Sequence, residues 1–275
     1  MGRGPAVGPR EFGIGEGRVM GVLDRFRLDG KVALVTGGTK GLGRAMAEAL
    51  ASAGASVALT GREAGPAEAV ARELAASEGS KTLGLGADVS RAEEVKAMVA
   101  RTLDAFGRLD ILVNNAGINI RRPIQQLEED EFDRVIATNL KGPWLCCRAA
   151  AEPMRRQKWG RVINVSSTLG EVGLADRTPY CSSKGGLTLM TRTLALEWAR
   201  EGINVNALCP GPFATEINRP LLDDPVAREA MQAKVPQGRW ADPVELGPVA
   251  VFLASEASSF VTGATILVDG GYTAQ

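Results

Sequence analysis

Tyr180 and Lys184 stand four residues apart in a stretch of helical period, so their side chains emerge on one face. An ammonium beside a phenol stabilises the phenolate and draws the tyrosine pKa down from its usual value of about 10. A tyrosine tuned in this way can give a proton to a ketone or take one from an alcohol. Ser167 ends a strand-like run upstream, where its hydroxyl can reach the same substrate oxygen. The pair matters because the chain contains no histidine, which excludes Ser-His-Asp and Cys-His catalysis, an imidazole base and any His-containing zinc site. The four cysteines, Cys146, Cys147, Cys181 and Cys209, form no CxxC pair and no disulfide framework. No metal site is expected, and a reducing cytoplasm suits the thiols.

A second constellation is Thr36-Gly37-Gly38-Thr39-Lys40-Gly41-Leu42-Gly43, set between an apolar run and a helical stretch. Glycines there permit a tight turn and let a pyrophosphate approach the N–H groups of a helix N-terminus. The alternative is a tight turn that binds nothing. About 20 residues on, a dinucleotide site carries an acid for a ribose hydroxyl or an arginine for a 2′-phosphate. Here the second strand runs into Gly61-Arg62, and with Lys40 this favours NADP, leaving NAD possible, unless Arg62 is only a solvated charge. Asp88 follows the third strand and is placed either to meet an adenine amino group or to cap a helix.

These residues need rigid elements to hold them. Runs 31–36, 56–60, 82–89, 110–115, 161–166, 203–208 and 264–271 read as strands, most of them nearly continuous in apolar residues, as in a parallel sheet buried on both faces. Helical period fills 42–53, 66–77, 91–106, 128–153, 180–200 and 243–255. Strict alternation predicts an α/β, single-domain, doubly wound Rossmann fold, a seven-stranded parallel sheet flanked by helices. Residues 1–24 read as a flexible tail, with Met20 a candidate natural start, and 25–275 as the domain. Four prolines within 212–238 mark that stretch as a substrate flap. With 32 basic and 32 acidic residues the formal charge is zero, so neither nucleic acid nor a membrane surface is an expected partner. No apolar run is long enough to span a bilayer.

Taken together and in order, TGGTKGLG, NNAG at 114–117, Ser167, Tyr180-Cys-Ser-Ser-Lys184 and Pro210-Gly211 resemble the short-chain dehydrogenase/reductase family over about residues 28–273. The resemblance implies Tyr180 as catalytic acid/base, Lys184 as its tuner and a ribose ligand, Ser167 as donor to the substrate oxygen, and Asn139 as holder of a water in a proton relay. Asn139 interrupts an apolar stripe, and Pro143, four residues on, has no N–H for its carbonyl. That leaves the carbonyl free for water, or makes Asn139 a helix-kink residue with a capping role. The implied cofactor contacts are Gly37, Thr39, Lys40, Gly41, Leu42, Gly43, Arg62, Asp88, Val89, Asn115, Ala116, Gly117, Tyr180, Lys184, Pro210, Gly211, Phe213 and Thr215, the last also a possible N-cap.

Substrate identity rests on less. Arg121 and Arg122 follow the fourth strand, and Arg121 either clamps a carboxylate, with Ser167 and Tyr180 completing the substrate site, or makes a surface or inter-subunit salt bridge. The stretches NNAGINIRRP, GPFATE and GRW are similar to the gluconate 5-dehydrogenase branch of the family, which implies interconversion of a sugar acid and its ketone. The alternative is reduction of a 3-oxoacyl thioester on an acidic acyl-carrier protein, which predicts a basic patch at the mouth, with Arg121, Arg122, Arg155, Arg156 and Lys158 as candidates to supply it. A more remote one is a non-catalytic NADP sensor. The apolar faces of 128–153 and 180–200 and the last strand either match the surfaces through which the family forms homotetramers or are simply core.

Overall fold

The computed structural model describes residues 21–274, so the expected tail and Met20 lie outside the described residues, except that Leu23–Phe26 forms a 3-10 turn. Seven strands follow: β1 Val32–Val35, β2 Ser56–Gly61, β3 Thr82–Gly86, β4 Ile111–Asn114, β5 Gly160–Val165, β6 Ile203–Pro210 and β7 Thr265–Val268. They pair in parallel throughout, in the order β3-β2-β1-β4-β5-β6-β7. The order reverses between β1 and β4, which opens a crevice at the carboxyl ends of the strands.

The helices are α1 Gly41–Ser52, α2 Ala64–Glu78, α3 Ala92–Phe106, α4 Glu129–Ile136, α5 Gly142–Gln157, α6 Thr178–Trp198, α7 Arg219–Leu222, α8 Pro225–Gln232 and α9 Gly247–Ala254. They divide between two cores because successive strand side chains point to opposite faces. Ala33, Val35, Ile111 and Val113 pack with α1, α2 and α9, whereas Leu34 and Leu112 pack with α3, α5 and α6. Full burial of each leucine or isoleucine contributes about 1.5–3 kcal/mol.

Two expected helices are subdivided. The stretch expected as one helix over 128–153 contains a π turn, Ala137–Lys141, closed by the Gly142 N–H donating to the Ala137 carbonyl, and continues past Pro153 to Gln157. Pro143 explains the break, since it removes the donor that would close an ordinary turn on Asn139. The last helix begins as a 3-10 turn, Pro243–Leu246. The expected flap is likewise not irregular throughout: it holds the turn Glu216–Asn218, α7 and α8.

A polar ladder crosses the sheet. Asn114 on β4 donates to Asn164 Oδ1 on β5 (2.8 Å), and Asn164 donates to Thr191 Oγ1 on α6 (2.8 Å). All three are buried. Polar groups with no access to water bond only in the arrangement that satisfies them, so the ladder fixes the register of α6, the helix carrying Tyr180 and Lys184, against the sheet centre.

Candidate active site

A cleft of about 650 Å³ lies along the carboxyl ends of the strands. All of the site residues expected from the sequence border it except Asn139, which is wholly buried behind it. One wall is the glycine loop. Gly37 has φ +63°, a conformation open to glycine, and a Cβ on Gly43 would stand 2.2 Å from the Gly37 carbonyl and 2.3 Å from Asn115 Nδ2. Asn115 locks the turn by donating to the Thr36 and Gly37 carbonyls (both 3.0 Å), while Thr36 Oγ1 accepts from the N–H groups of Asn115 and Ala116. The loop is thus a fixed cradle with no side chain at its closest approach, and it fits a dinucleotide pyrophosphate at the N-terminus of α1.

Arg62, just past β2, is exposed and borders the cleft. Lys40 faces the same opening, but its ammonium is paired with Glu216 of the flap (2.8 Å). Asp88 Oδ1 accepts from the Ser90 N–H and hydroxyl (2.9 and 2.7 Å), and the cap position of α3 belongs to Arg91, so Asp88 does not cap that helix. Thr215 stands at the cap position of the turn Glu216–Asn218 without a side-chain cap bond.

Tyr180 is half-buried on the first turn of α6, and Lys184, one turn on, is 5% exposed, with Nζ 5.7 Å from the phenol ring centre. Lys184 Nζ donates to the Val165 carbonyl at the end of β5 (2.7 Å), and burial brings its pKa down to about 8. The tyrosine departs from expectation. Burial pushes its pKa up, opposed by a hydrogen bond from Ser167 and by the positive charge of Arg121. Desolvation therefore outweighs the stabilisation of the phenolate by its neighbours, with Arg121 one of the cations close to the phenol.

Ser167 lies just beyond β5, its Oγ also accepting from the Leu169 N–H (3.1 Å). Asn139 accepts from the Ile118 N–H (2.8 Å) and donates to the Ile118 carbonyl (2.9 Å) and Ser183 Oγ (3.2 Å). Its side chain is committed, which leaves only its main-chain carbonyl for a water. Gly117 separates this group from the lysine: a Cβ there would lie 3.3 Å from Asn139 Oδ1 and 3.7 Å from Lys184 Nζ.

Arg121 is half-buried, and its Nη2 donates to the Ile217 carbonyl and Asn218 Oδ1 of the flap. Arg122 pairs with Glu131 (3.0 Å). The basic mouth does not assemble. Arg155 and Arg156 end α5, which runs back to the start of β5, so with Lys158 they lie at the opposite rim of the sheet, and Arg155 pairs there with Glu201.

Sequence reasoning missed Arg177 and the asparagine ladder. The ladder had a signal, since Asn114 ends the apolar run of β4 and Asn164 interrupts the apolar run 162–165 of β5. Among the described residues no cluster of three or more potential metal ligands occurs, and no helix is long and apolar enough to cross a membrane.

Comparison with known proteins places this geometry. The family model described as enoyl-(acyl carrier protein) reductase matches residues 37–273. A D-threitol dehydrogenase from Mycolicibacterium smegmatis is 40% identical over 90% of this chain and 95% of its own. A 3-oxoacyl-(acyl-carrier-protein) reductase from Vibrio harveyi is 38% identical over 90% and 98%. The crystal structure of a gluconate 5-dehydrogenase from Burkholderia cenocepacia J2315 in complex with NADP and tartrate superposes with a TM-score of 0.90, at 39% identity over 93% of this chain and all of that one. These proteins differ in substrate and share oxidoreduction at an alcohol or ketone, and by this likeness along nearly its whole described length the chain belongs to the short-chain dehydrogenase/reductase family and is an oxidoreductase of alcohols and ketones.

Proposed function

We propose that the protein interconverts a secondary hydroxyl of a sugar acid and the corresponding ketone, of the gluconate/5-ketogluconate type, with NADP preferred over NAD. The observation that carries this reading is Arg121, a half-buried guanidinium whose charge acts on the Tyr180 phenol and which has no carboxylate partner among the described residues. A substrate carboxylate would complete it. Asn119, two residues earlier, borders the same cleft with a buried Oδ1 that lacks a partner, which a substrate hydroxyl would satisfy.

The chemistry that bound nicotinamide supplies is acceptance of a hydride from the carbinol carbon. In this reading Ser167 holds the substrate oxygen, and Tyr180 takes the hydroxyl proton in oxidation and returns it in reduction. Lys184, anchored on Val165, keeps positive charge near that oxygen and reaches the ribose. Asn139 holds the Ile118 segment against α6, and its carbonyl receives the water of a proton relay. Arg62 supports the choice of NADP by meeting a 2′-phosphate, with Lys40 able to join it on leaving Glu216. Remaining cofactor contacts come from the glycine loop, Val89, Ala116, Pro210, Gly211, Phe213 and Thr215.

The acyl-carrier alternative loses support because Arg155, Arg156 and Lys158 do not stand at the mouth. Leu189 and Leu196 on the outer face of α6, with Phe260 and Leu267 near the β7 edge, are exposed apolar side chains that suit self-association into a homotetramer. The free cysteines suit a cytoplasmic location. NADPH oxidation with 5-ketogluconate, run beside an acetoacetyl thioester, tests the reading: turnover of the keto acid is expected, and turnover of the thioester alone refutes it.

A further inference from the structure

Arg177 brings a second guanidinium to the cleft beside Arg121. It occupies the N-cap position of α6, a helix of 21 residues, and makes no side-chain cap bond. Ser, Thr, Asp or Asn usually stands at such a position, and a cation there opposes the positive end of the helix dipole. Arg121 and Arg177 also repel one another, and burial disfavours the charge of both.

Among the described residues their hydrogen bonds go to neutral acceptors. Arg121 uses Nη2 on the flap, and Arg177 uses Nη1 on the Asp176 carbonyl (2.9 Å). The Asp176 carboxylate acts on Arg177 without forming an ion pair. The backbone holds the two cations together despite this. Asp176 lies in the left-handed region at φ +62°, which Asp adopts more readily than most non-glycine residues, and its carbonyl accepts from the Arg122 N–H (3.1 Å). The Arg121-Arg122 segment is thereby tied to the segment that ends in Arg177.

Two half-buried like charges, held side by side and forming no ion pair among the described residues, are arranged for an anion from outside. Resting on the sugar-acid reading, we propose that Arg121 and Arg177 form one seat for a dianionic substrate, a sugar acid bearing a second carboxylate or a phosphate next to the reacting carbon, and that Arg177 sets this specificity.

The test is steady-state oxidation, at saturating NADP, of glucitol, gluconate, glucarate and 6-phosphogluconate, which carry progressively more charge on one carbon chain. At least one of the last two is expected to exceed gluconate in kcat/KM by about tenfold or more, and the better of them tells carboxylate from phosphate. Arg177→Gln is expected to bring that ratio close to one through KM, with Arg177→Lys recovering part of it. Dianions no better than gluconate, or a loss in Arg177→Gln equal for all four compounds including neutral glucitol, would overturn the proposal. Should none of the four turn over, the sugar-acid reading falls by itself. Calorimetric titration of the NADP-loaded protein then decides the seat: tighter binding of glucarate or 6-phosphogluconate than of gluconate upholds it, and equal binding of all three overturns it.

Discussion

Replacing Lys184 with methionine should make the protein more stable at neutral pH while disabling it. The lysine is 5% exposed, and burial lowers its pKa from 10.5 to about 8. At about 1.36 kcal/mol per pH unit, keeping it protonated in the folded state costs about 3 kcal/mol wherever both folded and unfolded forms carry the charge, that is, below pH 8. Methionine fills a similar volume without that charge but forfeits the hydrogen bond to the Val165 carbonyl, worth about 1–1.5 kcal/mol. The net expectation at pH 7 is a variant more stable by about 2 kcal/mol. The unfolded lysine holds its proton up to 10.5 and the folded one only to about 8, so between these values the unfolded state binds more protons and wild-type stability rises with pH. The difference should shrink above pH 8, change sign at about pH 9–10, where the remaining charge penalty equals the lost hydrogen bond, and reflect that lost bond alone only above 10.5. Urea unfolding of both proteins at pH 7, 8, 9 and 10, followed by tryptophan fluorescence at one protein concentration, measures this directly. A variant no more stable at pH 7, or a difference that stays flat across the series, would refute the account of a buried charge.

Other expectations are simpler to read. Tyr180→Phe should lower kcat by about 10²–10⁴-fold and leave NADP binding, followed by fluorescence titration, nearly unchanged; parallel loss of both would deny the phenol a chemical role. Gly43→Ala places a methyl 2.2 Å from the Gly37 carbonyl, so it should abolish detectable dinucleotide binding and destabilise the fold by about 1–3 kcal/mol in urea titrations. Asn164→Ala removes one hydrogen-bond partner each from buried Asn114 and Thr191 and should cost about 1–3 kcal/mol, whereas an exposed control such as Gln125→Ala should stay within about 0.5 kcal/mol. In the folded protein Cys181 should be the first thiol to react with a disulfide reagent, because Cys146, Cys147 and Cys209 are buried and burial pushes Cys147 up to about 12.

The order of strands and helices could be read from the sequence because strands buried on both faces leave continuous apolar runs, and the glycine loop because Gly43 admits no side chain. The tyrosine–lysine spacing was equally plain. What depends on three-dimensional surroundings was not. Proximity of Lys184 suggested a lowered Tyr180 pKa, but burial is invisible in a sequence, and it reverses the direction. Charge alone grouped Arg155, Arg156 and Lys158 with Arg121, although helix direction sends them to the far rim. The π turn needed knowledge of how Pro143 and Asn139 share one helix. Arg177 went unnoticed because a lone arginine before a helix looks like a solvated charge until Asp176 and Arg121 are seen around it.

Two of the flap's ties are made to cations at the cleft, by Glu216 on Lys40 and by Ile217 and Asn218 on Arg121. On the reading proposed here, these are cations that phosphate and substrate would also seek, so the flap acts as a competitor attached to the molecule it inhibits. Such a competitor cannot be diluted away. It weakens every incoming anion by a constant factor, and it also waits beside each departing one, ready to take back the contact. An enzyme built so gives up tight binding and in return discharges its products readily, which favours flux when product is abundant.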